Sequence, residues 1–375
     1  MAKFRIVVPP EHWGNPNEAG LENINNAIFL AGPCPRKNYE EDWRYEAYRI
    51  LEELDFDGVV ISPTNSNYMN GLKTYGPEQA LRFQTNWERI AMHTASALVF
   101  WIARDEKFPA LTTNIEFGEW YKKDGVFIGW PNGAIKTEYI ALKMEEQGMT
   151  PVNDLRTLLA NAVDSLKRPG TVYFTSDTHF GQERTLQLSR RPFKNVMEMD
   201  LTMMSNWNKV VRNTDVVIHA GDFMDSADID TLAFYLDNLN FKQLDWVLGN
   251  YDRKVEDELV QFAQDYNAKH PNHTVIIHSG PFHVQIGEKK FVVVHEPNDI
   301  QFEKADDELV LFGHIHGRAF AKRDGFDLGI DYSHYKPLSL TDVEWLCNAM
   351  QYWDENVYSE RCNTVPGNPS LTYIK

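Results

Sequence analysis

Seven residues of metal-ligand type occur in short clusters, each at the end of an apolar run. Ser176-Asp177-Thr178-His179 follows residues 171–175, Gly221-Asp222 follows 216–220, and Gly249-Asn250-Tyr251-Asp252 follows 244–248. Gly313-His314-Ile315-His316-Gly317 follows 309–312, and His295 itself ends Phe291-Val-Val-Val-His295. If the runs are strands, five strand ends deliver Asp177, His179, Asp222, Asn250, His295, His314 and His316 to one rim, the place where α/β sheets bind ligands. Carboxylate, imidazole and amide oxygen suit a pair of divalent ions such as Mn, Fe, Zn or Ni. Two such ions ~3.5–4 Å apart can clamp a phosphate, activate water and stabilise an in-line transition state. The blander reading, unrelated buried polar residues, needs seven coincidences in order.

A second candidate is Leu111-Thr-Thr-Asn-Ile-Glu-Phe-Gly118, after the apolar run 97–102. The spacing predicts a helix over 113–123. That would put Glu116 in its first turn, where the positive helix end keeps a carboxylate ionised. An ionised Glu at a strand-to-helix switch can attack a sugar C1 through an oxocarbenium-like transition state. Alternatively, Glu116 is only a helix-start residue. Ser62, Thr64, Asn65 and Ser66 follow another apolar run; they could meet a phosphate or simply form a turn.

The elements that must position these groups alternate. Strands are expected at 27–33, 58–63, 97–102 and 125–129, with helices at 41–54, 78–95 and 113–123. Strands that are apolar throughout, alternating with helices, predict an α/β parallel sheet covered on both faces. A helical stretch over 151–166 and the turn Lys167-Arg-Pro-Gly170 close this unit. Beyond it the chain is richer in strands, expected near 216–220, 244–248, 274–279, 291–295 and 309–313. The expected domains are 1–165 and 171–348, with 349–375 as an extended tail.

The order DxH, GD, GNxD, H, GHxH, with Arg191-Pro-Phe193, Trp207-Asn208 and Gly329-Ile-Asp331, resembles the calcineurin-like metallophosphoesterases. The resemblance implies a four-layer α-β-β-α sandwich. It assigns Asp177, His179 and His316 to one metal, Asn250, His295 and His314 to a second, and Asp222 to a bridge. It also places Arg191 among the substrate-binding residues. Where that family usually carries a His in GNH[DE], this chain has Tyr251. A phenol near pKa 10 still donates a hydrogen bond but is a weaker acid at neutral pH, which favours good leaving groups.

Phe29-Leu-Ala-Gly-Pro33, Trp43, Pro63, Trp87-Glu88-Arg89, Phe100-Trp101-Ile102, Thr113-Asn114-Ile115-Glu116-Phe117-Gly118 and Gly129 resemble the nucleoside 2-deoxyribosyltransferase-like family. That implies a Rossmann/flavodoxin-like sheet with Glu116 as nucleophile. Glu88 would handle the base or sugar, Gly32 and Pro33 would lie beneath it, and Asn114 would contact substrate. Asp105 is a weak candidate for the family's further Asp. The resemblance also implies a homo-oligomer.

Composition narrows the rest. At roughly 150 residues per domain, 375 residues suggest two domains. A net charge of −17 gives no long-range attraction for a phosphate backbone and disfavours polymeric nucleic acid. Cys34, Cys347 and Cys362 are scattered without a CxxC pair, which fits a reducing, cytoplasmic setting. No apolar run reaches the ~18 residues of a membrane span. His219 and His278 read as structural. The expectation is a bifunctional nucleotide-processing enzyme with two divalent metal ions and a nucleoside or nucleotide as small-molecule substrate. The alternative is a metallophosphoesterase regulated by an N-terminal nucleotide-binding sensor domain.

Overall fold

The computed structural model describes residues 3–9, 24, 26–34, 42–64, 76–106, 109–122, 125–167, 169–225, 231–298, 304–322 and 325–350. Asn65, Ser66, Cys362 and residues 351–375 of the expected tail lie outside them.

Strands β1 (Arg5–Val7), β2 (Ala27–Ala31), β3 (Val59–Ile61), β4 (Ala97–Trp101) and β5 (Val126–Gly129) form one sheet in the order β1-β3-β2-β4-β5. Every pairing is parallel. All residues of β2 and β4 are buried, because successive side chains leave on opposite faces and both faces are covered. Phe29, Leu98 and Phe100 pack with Trp87, Ala91, Phe117, Trp120 and Ile140. These come from α2 (Pro77–Thr94), α3 (Leu111–Trp120) and α4 (Glu138–Glu145). Ile28, Leu30 and Val99 pack with Ala47, Leu51, Leu158 and Leu159 of α1 (Trp43–Glu53) and α5 (Leu155–Leu166). The crossovers leaving β2 and entering β4 run in opposite directions. The sheet's ligand crevice therefore lies at the carboxyl ends of β2 and β4. β1 was not among the expected strands; three residues are too few to show a period.

The second half contains two sheets face to face. One has the order β15-β6-β7-β8-β9, made by β6 (Val172–Thr175), β7 (Val216–His219), β8 (Gln243–Val247), β9 (Thr274–His278) and β15 (Leu338–Ser339). The other has the order β10-β11-β12-β14-β13, made by β10 (Phe282–Ile286), β11 (Lys289–Val293), β12 (Glu308–Phe312), β13 (Ala321–Lys322) and β14 (Gly325–Asp327). Between them, Phe174, Ile218 and Val247 meet Phe291, Val293, Leu311 and Phe326. Each such side chain contributes roughly 1.5–3 kcal/mol on burial. The first sheet's outer face, with Val217, Leu244 and Trp246, is covered by Met203, Trp207, Leu236 and Leu259. These come from α7 (Val196–Val210), α8 (Leu232–Asn238) and α9 (Glu256–Lys269). A short α6 (Glu183–Leu188) follows β6, and α10 (Leu340–Met350) ends the described chain.

The two halves meet where α2 packs on α7. Asn208 Nδ2 donates to Thr94 O and Asn238 O, each at 2.7 Å, and Asn240 Nδ2 donates to Ser96 Oγ at 2.7 Å. These amides are buried, so the junction is held by satisfied polar groups.

Candidate metal centre and carboxylate site

The strand ends bring all seven candidate ligands together. His179 Nε2 lies 3.8 Å from Asp177 Oδ1 and 3.7 Å from Asp222 Oδ2, and His316 Nε2 lies 3.8 Å from Asp177 Oδ1. On the other side, His295 Nε2 lies 3.3 Å from Asp222 Oδ2 and 3.2 Å from Asn250 Oδ1. His314 Nδ1 lies 3.0 Å from the same Asn250 oxygen. Asp222 Oδ2 thus belongs to both sets. Ligand atoms around an ion at about 2.0–2.2 Å stand roughly 3–3.6 Å apart, so these spacings are close to those of two coordination shells sharing one ligand atom.

The backbone is bent to achieve this. Asp177, His179, Asp222, His314 and His316 all have φ between +48° and +73°. That region is costly for a side chain and persists where the surroundings enforce it. Part of the enforcement is local: His314 N donates to both Asp177 carboxylate oxygens at 3.1 and 3.0 Å, and Tyr251 N to Asp222 Oδ1 at 2.9 Å. Gly313 is required, since a Cβ there would stand 1.9 Å from Ser176 Oγ and 2.5 Å from Asp177 Oδ2.

The side chains fit divalent cations on three counts. His179 is buried, and neither ring nitrogen has a hydrogen-bond partner among the described residues. His295 Nδ1 donates to Ala220 O at 2.8 Å, which turns Nε2 inward, the usual support for an imidazole that ligates once a cation displaces its proton. Finally, the site carries surplus negative charge. Asp252 is pushed up to about 6 by burial and then by Asp222, and Asp327 to about 7 by burial and then by Asp177. Burial disfavours charge on His295, but Asp222 and Asp177 outweigh it and raise the imidazole to about 9. Cations would relieve that surplus.

Asp252 and Asp331, motif residues to which no role was assigned, support the ligands. Asp252 is buried and accepts from the N–H groups of Asp222 (2.7 Å), Phe223 (3.3 Å) and Gly249 (2.9 Å), and from Trp246 Nε1 (2.9 Å). It ties the β7 and β8 loops together; its place in the GNxD cluster was the available signal. Asp331 Oδ2 stands 3.4 Å from His316 Nδ1.

Arg191 requires a correction. Expected to bind substrate, it lies behind the ligands, with its guanidinium fully committed. Nε and Nη2 bond Asp331 at 2.9 and 3.0 Å, and Nη1 and Nη2 bond the Thr178 and Asp177 carbonyls at 2.8 and 2.5 Å. It fixes the DxH turn.

His219 and His278 are structural, as expected. His219 Nδ1 accepts from Gly221 N at 3.1 Å, its Nε2 pairs with Thr178 Oγ1 at 3.0 Å, and burial pushes it down to about 3. His278 pairs with Asp245 at 2.9 Å. Tyr251 stands at the centre, its ring edge-on to His179 at 5.4 Å.

At the crevice of the first sheet, Gly32 comes so close to β4 that a Cβ would lie 2.3 Å from Trp101 O. The Gly32-Pro33 turn is held by Arg44, which sequence reasoning passed over. This buried guanidinium donates to Leu30 O, Pro33 O and Gly32 O at 3.1 Å each and to Asp42 Oδ1 at 3.0 Å. Asp42 also accepts from Thr64 Oγ1 at 2.8 Å, so Thr64 serves the turn. Asn114 is exposed and accepts from Arg104 at 2.6 Å; Asp105 is exposed on its loop.

Glu88, half-buried on α2, accepts from Gln84 Nε2 at 2.7 Å, and burial raises its carboxyl. Glu116 contradicts the helix-end argument. Helix α3 begins at Leu111, so Glu116 lies beyond its first turn. Burial, then Glu88, push it up to about 7 instead of holding it ionised.

Residues 25–134 match the family model described as nucleoside 2-deoxyribosyltransferase like. Residues 171–330 match that of the calcineurin-like phosphoesterase superfamily domain. The chain therefore joins a domain of each kind, and the second supports a metal-dependent hydrolase. An uncharacterized protein of Methanocaldococcus jannaschii is 29% identical over 176 residues, 45% of this chain and 86% of the relative. Among solved structures, a protein of unknown function from Aquifex aeolicus aligns over 47% of this chain and 99% of its own, at 20% identity and a TM-score of 0.35. Yfce, a phosphoesterase from E. coli, aligns over 42% of this chain and 78% of its own, at 14% identity and a TM-score of 0.21.

Proposed function

We propose that the protein is a bifunctional nucleotide-processing enzyme, with domain limits at 1–165 and 171–348. The C-terminal domain hydrolyses a phosphoester, and the N-terminal domain cleaves or exchanges an N-glycosidic bond on a nucleoside or nucleotide. The observation that carries the first activity is the convergence of seven ligand side chains in two sets sharing Asp222 Oδ2. Asp177, His179, His316 and Asp222 would hold one divalent cation, and Asp222, Asn250, His295 and His314 the other, with Mn²⁺ our choice for assay. Bound there, the pair supplies Lewis-acid polarisation of the phosphoryl group and a more acidic attacking water. The chain's own part is to hold the rim rigid. Arg191 locks the DxH turn, Asp252 locks the β7 and β8 loops, and the Ala220 carbonyl sets the His295 tautomer.

In the N-terminal crevice, Glu88 and Glu116 present two carboxyl groups beside the Gly32-Pro33 turn, a pairing suited to attack at C1 and proton handling on the base. Leu111 and Ile115 on α3 are 69% and 73% exposed, which supports a homo-oligomer. No described helix is long and apolar enough to cross a membrane, and we place the enzyme in the cytoplasm.

One observation favours a second reading, a nucleotide sensor in place of a glycosidase. Burial and Glu88 push the Glu116 carboxyl up to about 7, which thins the ionised form that a nucleophile needs. Product mass spectrometry on a nucleotide and cyclic-nucleotide panel, with and without Mn²⁺, tests both. The bifunctional enzyme loses only base release on Glu116→Ala and only phosphoester hydrolysis on Asp222→Asn. A sensor releases no base in any form.

A further inference from the structure

Arg184 lies on the exposed side of α6. Its Nη1 donates to the Tyr251 phenol oxygen at 3.1 Å, and it has no other partner among the described residues. Tyr251 is fixed from three further directions. Its backbone N–H donates to Asp222 Oδ1 at 2.9 Å, its ring meets the His179 ring at 89°, and the Lys254 ammonium stands 4.0 Å from its centroid.

A phenol has one proton to give, and a guanidinium has no acceptor. The Tyr251 O–H therefore cannot return the bond. Its proton must point away from Arg184, and it finds no acceptor among the described residues. The Tyr251 O–H thus faces away from Arg184 on a half-buried ring packed against a metal-ligand imidazole, where a molecule bound at the metal centre can accept from it.

We propose that Arg184 is a positioning residue: by donating to the Tyr251 oxygen it turns the Tyr251 O–H toward the leaving-group oxygen of a bound phosphoester. This rests on the phosphoesterase reading above. Of the substrate's oxygens, that one gains most charge as its bond to phosphorus breaks, so a fixed donor there counts most in the transition state. The phenol gives a hydrogen bond and keeps its proton. The substrate class this favours carries a leaving group acidic enough to depart as an anion, such as an aryl oxide or a second phosphate.

The test uses the full chain with Mn²⁺ and aryl phosphoesters of graded leaving-group acidity, comparing wild type with Arg184→Ala, Arg184→Lys, Tyr251→Phe and the Arg184→Ala/Tyr251→Phe pair. Each single truncation is expected to lower kcat about tenfold for the least acidic leaving group and under about twofold for the most acidic, with KM little changed. The pair falls no further than either single variant, and Arg184→Lys recovers part of the loss. A second readout needs no turnover. With Mg²⁺ and ring-labelled tyrosine, the NMR resonance lost in Tyr251→Phe shifts in Arg184→Ala, and inorganic phosphate moves it in wild type only. Losses equal across the series, additive losses in the pair, or an unmoved resonance overturn the proposal. An inactive wild type defeats the phosphoesterase reading and this proposal with it, whereas an active wild type with a flat series defeats the proposal alone.

Discussion

At the ends of β6, β7, β8, β11 and β12, carboxylates stand beside imidazoles, and His179 there has no hydrogen-bond partner on either ring nitrogen among the described residues. At the ends of β2 and β4, Glu88 and Glu116 stand near one another, and the nearby cation, Arg44, is spent mainly on backbone carbonyls. Both places concentrate acid groups in a buried setting, and they discharge it differently. The first keeps Asp177 and Asp222 ionised, their carboxyls held below the usual range by neighbouring imidazoles against burial, and invites cations. The second lets burial return a proton to the carboxyl. The lesson is that the same residue type becomes a metal ligand or an acid according to what its neighbours have left over.

The sharpest break of this contrast is Asp222→Asn. Removing the one oxygen common to both ligand sets should cut phosphoester turnover about 1,000-fold, roughly 4 kcal/mol, in a steady-state assay while leaving base release intact. Loss of both activities together would mean that the sites are not separate. Next is Arg191→Ala. Its side chain is fully buried against Asp331, so removal strands a mostly buried charge and should cost about 3–5 kcal/mol of stability by denaturant unfolding. A change below 1 kcal/mol, roughly the surface-pair level, would return Arg191 to the substrate face. Asp252→Asn should weaken metal binding about 10- to 100-fold through disordered ligand loops, read by calorimetry; unchanged affinity would remove Asp252 from the account.

The smallest effect sharpens the other side. Glu116 sits near 7 in the fold against 4.5 when unperturbed. The native state therefore holds the extra proton, and this contribution to stability is full below pH 4.5 and lost as pH rises through 7. Glu116→Gln should match wild type at acid pH and gain on it between pH 4.5 and 7, by on the order of 1–3 kcal/mol. A difference flat in pH would mean that Glu116 is ionised throughout.

Much of this was readable beforehand, for reasons that differ by residue. The ligands stood out because each closes an apolar strand, a local pattern that survives folding unchanged. Arg191 misled because its main partner, Asp331, lies 140 residues away, so nothing local shows that the guanidinium is occupied. The start of α3 was missed because Ala110 enters it in a left-handed conformation with no side-chain cap, leaving no Ser, Asp or Asn to mark the boundary. Burial and then Glu88, neither of which local spacing reveals, reverse the electrostatic argument for Glu116. Arg44 escaped because a charged residue in an amphipathic helix normally reads as its wet face, yet here it is buried on backbone carbonyls.

The shared oxygen of Asp222 is the centre of the account, and calorimetric titration of Mn²⁺ into metal-stripped full-length protein tests it most directly. Wild type should bind two equivalents per chain, and Asp222→Asn should weaken both sites. A single equivalent in wild type, or a variant that loses one site and keeps the other at full affinity, would contradict a bridged two-metal centre.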